Sequence, residues 1–154
     1  MTMNSENDSI ERAELLVAQG RFSDALEVLD TAIAEAPECA KLWANKGWCL
    51  FSMGEYDLAA VQFTEALRLK PNASTTYFFR AQCREKIGDL DGALQDYSAS
   101  IAIKPQSDAF MMIGMIHRYN GNLVAARQAF SNAIRLDPDN DLAASFLAEE
   151  LDHP

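Results

Sequence analysis

The sequence predicts an all-α fold: an α-solenoid of four helix–turn–helix repeats closed by a C-terminal capping helix. Three coincident ladders of residues carry that reading. Gly20, Gly54, Gly88 and Gly121 recur at spacings of 34, 34 and 33 residues. Ala25, Ala59, Ala93 and Ala126 keep the same step, and so do Pro37, Pro71, Pro105 and Pro138. Ala32, Ala66, Ser100 and Ala133 add a fourth series. Self-similarity at such a period marks stacked units, none of which can bury its apolar face alone. The missing residue falls between Pro105 and Phe110, because Trp43, Tyr77 and Phe110 already show the shortened step.

The repeats span about 6–39, 40–73, 74–106 and 107–140, with a capping helix over 141–152, in one domain covering 1–152. Within the second repeat, Trp43, Gly47 and Leu50 fall on one face of a helix. Gly54 ends that helix, since glycine tolerates the left-handed backbone of a C-cap. A second helix follows, with Tyr56, Ala59, Phe63, Ala66 and Leu67 on one face, and Pro71 closes the unit. Small residues stand where two helices approach, and large ones fill the spaces between. The stretch from Asp141 onward places Leu142, Phe146, Leu147 and Leu151 on one side, with Glu149, Glu150 and Asp152 kept wet. Such a helix covers the last repeat's open face, which a solenoid needs.

The order aromatic, small, small, aromatic, small, proline resembles the tetratricopeptide repeat. The second repeat carries it most fully, in Trp43, Gly47, Tyr56, Ala59, Phe63, Ala66 and Pro71. The third gives Tyr77, Ala81, Gly88, Ala93, Tyr97 and Pro105, with Ser100 where alanine is usual. The fourth gives Phe110, Gly114, Gly121, Ala126, Phe130, Ala133 and Pro138. The first departs most, with Ser9 at the aromatic place. Arg12, Lys46 and Arg80 stand where the family has leucine, and only Ile113 is apolar there.

The resemblance implies a binding role, with the first helix of each pair lining a concave groove. Carried over by face, the groove residues are Lys41, Ala44, Asn45, Trp48 and Phe51 in the second repeat. In the third they are Phe78, Phe79, Gln82 and Lys86, and in the fourth Met111, Met112, Met115, Arg118 and Tyr119. A helix apolar on more than one face must bury the second face somewhere, and a large exposed apolar patch marks a binding site. The expected partner is another protein, held by an apolar peptide or helix. The competing reading is that Trp48, Phe51 and Phe79 pack between neighbouring first helices, with Met115 and Phe78 the foremost candidates for plain packing. A third is that the apolar surface pairs two copies of the chain.

Family members that clamp a chaperone's terminal carboxylate need lysine, asparagine and further basic residues at set places. Here Asn45 alone fits; Ile10, Glu14, Thr75 and Phe79 occupy the others. An acid or apolar group cannot replace a cation facing a carboxylate, so no such clamp is expected. Asn45 is either a donor to a bound peptide's backbone or a solvated amide.

The formal charge is −10, unfavourable for nucleic acid and for anionic membrane surfaces. The charge is uneven: the first repeat carries most of it, and residues 40–106 are close to neutral. No apolar run approaches the roughly 20 residues that span a bilayer, and the first eight residues lack the basic and apolar regions of a signal peptide. Cys39, Cys49 and Cys83 form no CxxC pair, which suits small buried hydrophobes in a reducing, cytoplasmic setting. No catalytic motif, metal-ligand spacing or cofactor loop is present. His117 reads as a packing histidine and His153 as a terminal one. No enzyme activity, metal or cofactor is expected.

Overall fold

The computed structural model describes residues 3–152. Among them lie nine helices: α1 (Met3–Ala18), α2 (Phe22–Glu35), α3 (Ala40–Ser52), α4 (Tyr56–Leu69), α5 (Ser74–Lys86), α6 (Leu90–Ile103), α7 (Ser107–Tyr119), α8 (Leu123–Leu136) and α9 (Asp141–Asp152). They form four antiparallel pairs and a final helix. His153, and the side chains of Glu150, Leu151 and Asp152, lie outside the described residues.

One turn is used four times within the pairs. In the first, the Gly20 N–H donates to Val17 O at 2.9 Å and the Arg21 N–H to Leu16 O at 2.8 Å. This is the Schellman arrangement, which requires a left-handed residue at the glycine. Gly20, Gly54, Gly88 and Gly121 have φ of 72°, 82°, 86° and 73°. The same pair of hydrogen bonds recurs at Gly54, Gly88 and Gly121. The glycine ladder is therefore a conformational requirement of the turn.

Pairs are locked by a small residue on the first helix facing a large one on the second. Gly47 lies against Phe63 and Gly114 against Phe130, so closely that a Cβ at either glycine would come within 2.8 and 2.5 Å of the ring. Ala13 with Leu29, and Ala81 with Tyr97, occupy the corresponding buried places. Ser100 departs from the alanine ladder for a polar reason. Its hydroxyl donates to Ser74 O at 2.9 Å and accepts from Gln106 Nε2 at 2.8 Å.

Successive pairs stack through each second helix and the next first helix. First helices also touch one another, α1 with α3 and α3 with α5, whereas no comparable contact joins two second helices. The first helices therefore line the shorter, concave side. The final helix repeats the first-helix pattern: Ala143 is fully buried where Leu42 and Ala109 are, and Phe146 stacks on Phe130 at 5.4 Å. Leu142, expected on the packing side, is instead exposed. It stands one residue before the buried position, in the place that exposed Lys41, Thr75 and Asp108 hold in earlier repeats.

The tight glycine contact yields a direct test. The Phe130 ring is fully buried, so it has little room to yield to a methyl group. Overpacking costs about 1–3 kcal/mol, while alanine regains up to about 1 kcal/mol of helix propensity. Gly114→Ala is therefore expected to lower the urea midpoint followed by circular dichroism; an unchanged or raised midpoint would show that the ring gives way freely.

Candidate functional site

The positions expected to face the groove sit in rows set by the repeat. Glu14, Trp48, Gln82 and Met115 share one row along α1, α3, α5 and α7. Trp48 and Met115 are 38% and 39% exposed, and Tyr119, one turn beyond Met115, is 81% exposed. Lys41 and Lys86 are exposed, while Ala44, Asn45, Gln82, Met111, Met112 and Arg118 are half-buried.

The aromatic residues do not form an open strip. Phe79 lies 4.8 Å from Trp48, 5.9 Å from Phe51 and 6.2 Å from Phe63 between ring centroids. Phe78 meets Phe79 at 5.7 Å and Tyr97 at 5.6 Å. Phe51, Phe78 and Phe79 thus fill the spaces between α3, α4, α5 and α6, as the competing packing reading had it. Trp48 joins this cluster, stacked on Phe51 at 5.6 Å, and stays partly exposed. Met115, expected in the groove and also a foremost candidate for plain packing, is exposed. Asn45 donates to Lys41 O of its own helix at 2.9 Å. Arg118 is engaged by α9: its guanidinium lies 4.7 Å above the Phe146 ring and pairs with Glu149 at 2.8 Å.

A cleft of about 400 Å³ opens between α5, α6 and α7, lined by Glu85, Gly88, Leu90, Met115, Ile116 and Tyr119. The Tyr97 hydroxyl donates to Glu85 at 3.0 Å, fixing the carboxylate at its wall. Leu90 and Ile116 were not legible as lining residues, because they come from the turn and the inner face of separate repeats.

A polar network occupies the places where leucine was absent. Arg80 grips Asp96 with two nitrogens, at 2.8 and 2.7 Å, and gives a third to Thr64 at 3.1 Å. Arg84 reaches Asp96 at 3.0 Å, and Lys46 pairs with Asp30 at 2.6 Å. The signal was present: Asp30 and Thr64 each precede their basic partner by sixteen residues. Among the described residues, no cluster of three or more histidine, cysteine, aspartate or glutamate side chains could hold a metal, and no helix is long and apolar enough to cross a membrane. His117 is half-buried.

A family model described as tetratricopeptide repeat matches residues 10–74 and 50–108, and a second with that description matches 107–140. The chain is 40% identical over 81 residues to Protein FlbA of Caulobacter vibrioides, covering 53% of this chain and 14% of that protein. It is 28% identical over 143 residues to the mouse Protein O-mannosyl-transferase TMTC1, covering 89% of this chain and 15% of that one. The chain therefore spans a small fraction of these relatives' length. Among solved structures, MamA 41-end from Desulfovibrio magneticus RS-1 superposes with a TM-score of 0.86 at 20% identity, covering 97% of this chain and 85% of that one.

The cysteines provide a chemical check of the packing. Cys49 and Cys83 are fully buried and Cys39 is half-buried. Burial pushes the Cys83 thiol from 9.0 up to about 12 and raises Cys49 as well. At pH 8 Cys83 thus holds roughly a thousandfold less thiolate than an unshifted thiol. Iodoacetamide on the native chain is expected to label Cys39 first and to reach Cys49 and Cys83 only after denaturant is added, read by peptide mass spectrometry. The unfolded chain releases the Cys83 proton first, so this thiol's contribution to stability is complete below about pH 9 and declines as the pH rises towards 12.

Proposed function

The chain belongs to the tetratricopeptide-repeat family, and from its surface we propose that it is a protein–protein interaction module whose concave groove holds an apolar peptide or helix of a partner protein. Proteins of this family generally mediate such interactions. The observation that carries the reading is the exposure of Trp48, Met115 and Tyr119 on the groove side, beside an apolar-walled cleft. Aromatic and methionine side chains offer large contact area and adaptable shape to an apolar segment. Lys41 and Lys86 stand at the rim, where charge orients a partner more than it binds it. The whole of 1–152 acts as one binding unit in this reading, without catalysis. Three unpaired cysteines fit work in a reducing compartment such as the cytoplasm. The transferase name of one relative carries nothing over, since the chain spans 15% of that protein.

The informative variant is Met115→Glu. Met112 is half-buried against the Ala81, Ala93 and Tyr97 cluster, so a charge there would attack the fold itself. Met115→Glu and Tyr119→Ala are expected to keep the helical circular dichroism and to weaken partner capture from a lysate by about tenfold or more, roughly 1.4 kcal/mol. Identical captured proteins for both variants and the parent chain would overturn the groove reading.

A second reading is favoured by one observation at the other end of the array. Leu15 is 59% exposed, whereas Cys49, Cys83 and Ile116, its counterparts in later repeats, are buried. A cleft of about 710 Å³ lies over it, between α1 and α2. Arg12, Glu27 and Glu35 line this cleft. Two copies meeting at this face would set Arg12 of each against the acids of the other, an isologous arrangement. Light scattering over a concentration series is expected to show a dimer that Leu15→Glu abolishes. A parent chain that stays monomeric throughout would remove this reading.

A further inference from the structure

The groove reading leaves one feature unused, at the seam where α3, α4 and α5 meet. A cleft of about 300 Å³ lies there, and its walls include Lys41, Lys70, Asn72, Ser74, Thr75 and Thr76. No acidic residue lines it, in a chain of net charge −10. The corresponding positions of the preceding seam include Glu6 and Glu38, and those of the following seam include Asp108. Two lysines without an acid therefore mark this seam alone among the three between repeats.

The local backbone points the same way. Both α3 and α5 begin here, neither is capped by a side chain, and neither carries an acid in its first turn. Leu42 and Thr76 N–H turn back to Cys39 O and Ala73 O, which leaves the N–H groups of Ala40, Lys41, Ser74 and Thr75 open to an acceptor, and each N-terminus bears a partial positive charge. The C-terminus of α4 enters from the same side and opposes this, but two N-termini and two ammonium groups outweigh it.

Thr76 is the independent sign that the cleft expects a polar occupant. Its position is filled by fully buried Leu42, Ala109 and Ala143 in α3, α7 and α9, and by exposed Asp8 in α1. Thr76 is only 8% exposed, and among the described residues no side chain or backbone group bonds its hydroxyl. The hydroxyl is not sealed either. Among the described residues, Gln62 Oε1 is the one fully enclosed side-chain polar atom without a partner. The Thr76 hydroxyl therefore retains some accessible area, and Thr76 lines the cleft. A hydroxyl with no protein acceptor and some access to the outside can donate to a ligand, and an oxyanion held between the lysines and the α5 amides would accept from it.

We propose that this seam is a subsite for the carboxylates of an acidic stretch in the partner, next to the apolar segment held in the groove. The inference rests on the interaction-module reading, since Lys41 and Ala44 belong both to the seam and to the groove face. A protein segment is the occupant because the seam is continuous with the groove. The lysines offer separated point charges, which suit successive acidic side chains, where a bidentate fork would suit a single phosphate.

The test uses the full chain labelled with nitrogen-15 and three probes: acetyl-tetraglutamate amide, acetyl-tetraglutamine amide and inorganic phosphate. The glutamate peptide is expected to move the amide signals of Ala40, Lys41, Ser74, Thr75 and Thr76 saturably, and the glutamine peptide is expected to leave them in place. Lys41→Gln combined with Lys70→Gln should weaken that response about tenfold or more. Thr76→Val, which gives the apolar type found at Leu42 and Ala109, should weaken it while the chain stays folded. Equal responses to both peptides, non-saturating shifts, or an unchanged response in the double lysine variant would overturn the proposal. Saturation by phosphate with a silent glutamate peptide would overturn it in favour of a phosphoryl site. The probes carry no apolar residue, so they report on the seam alone. A silent seam beside groove variants that lose their partner refutes this inference and spares the groove. A responding seam beside groove variants that lose nothing refutes the groove reading instead.

Discussion

The structure depends on the contact between a small residue on each first helix and a large one sixteen residues later on its partner. Gly47 with Phe63 and Gly114 with Phe130 leave no space for a Cβ, and Ala13 with Leu29 and Ala81 with Tyr97 sit at the same places. This contact sets how closely the helices of a pair approach, and hence the thickness of each unit. Interiors are packed too densely for that distance to drift. The rings it seats become the floor for the next repeat, since Phe63 receives Phe79 and Phe130 receives Phe146. Stacking therefore follows from pairing, and the concave surface follows from stacking.

The polar network is built on the same frame. Arg80 and Arg84 converge on Asp96, whose side chain is 4% exposed. Desolvating such charges offsets much of their attraction, so the network is better understood as a positional device than as a source of stability. The planar guanidinium of Arg80 ties α5 to α6 through two nitrogens and to α4 through a third. A leucine at that place would fill the volume but would not fix three helices in direction.

The fold was legible in the sequence because its constraints are local and periodic. A left-handed turn needs glycine at one position, and a close helix crossing needs a small residue at another, whatever the neighbours are. The groove was legible only by face. Which residues on that face are covered depends on what the adjacent repeat contributes: Phe79 is covered by Trp48 and Phe51, whereas Met115 has no such neighbour. Leu142 misled for a related reason. Its hydrophobicity suggested packing, but the register inherited from Leu42 and Ala109 assigned the buried place to Ala143. That the Thr76 hydroxyl finds no partner among the described residues was not legible, since in sequence a threonine in a first turn looks like an ordinary helix start.

Repetition also explains where the candidate binding features lie. Each ladder position makes a fixed demand, for an apolar neighbour, an acceptor or a cover, and most repeats meet it from the next unit. At Leu15, the counterpart of buried Cys49, Cys83 and Ile116, an apolar side chain stands open. At Trp48 and Met115 the row has bulky side chains that stay partly exposed. At Thr76 a polar group occupies an apolar place and lacks an acceptor. The far end shows the opposite case: α9 supplies Phe146 and Glu149 to Phe130 and Arg118, and there the demand is met within the chain. A solenoid of near-identical units carries little information in its core. Its specificity resides in the few positions where the period is broken or left incomplete, and a partner is selected by whatever it supplies there.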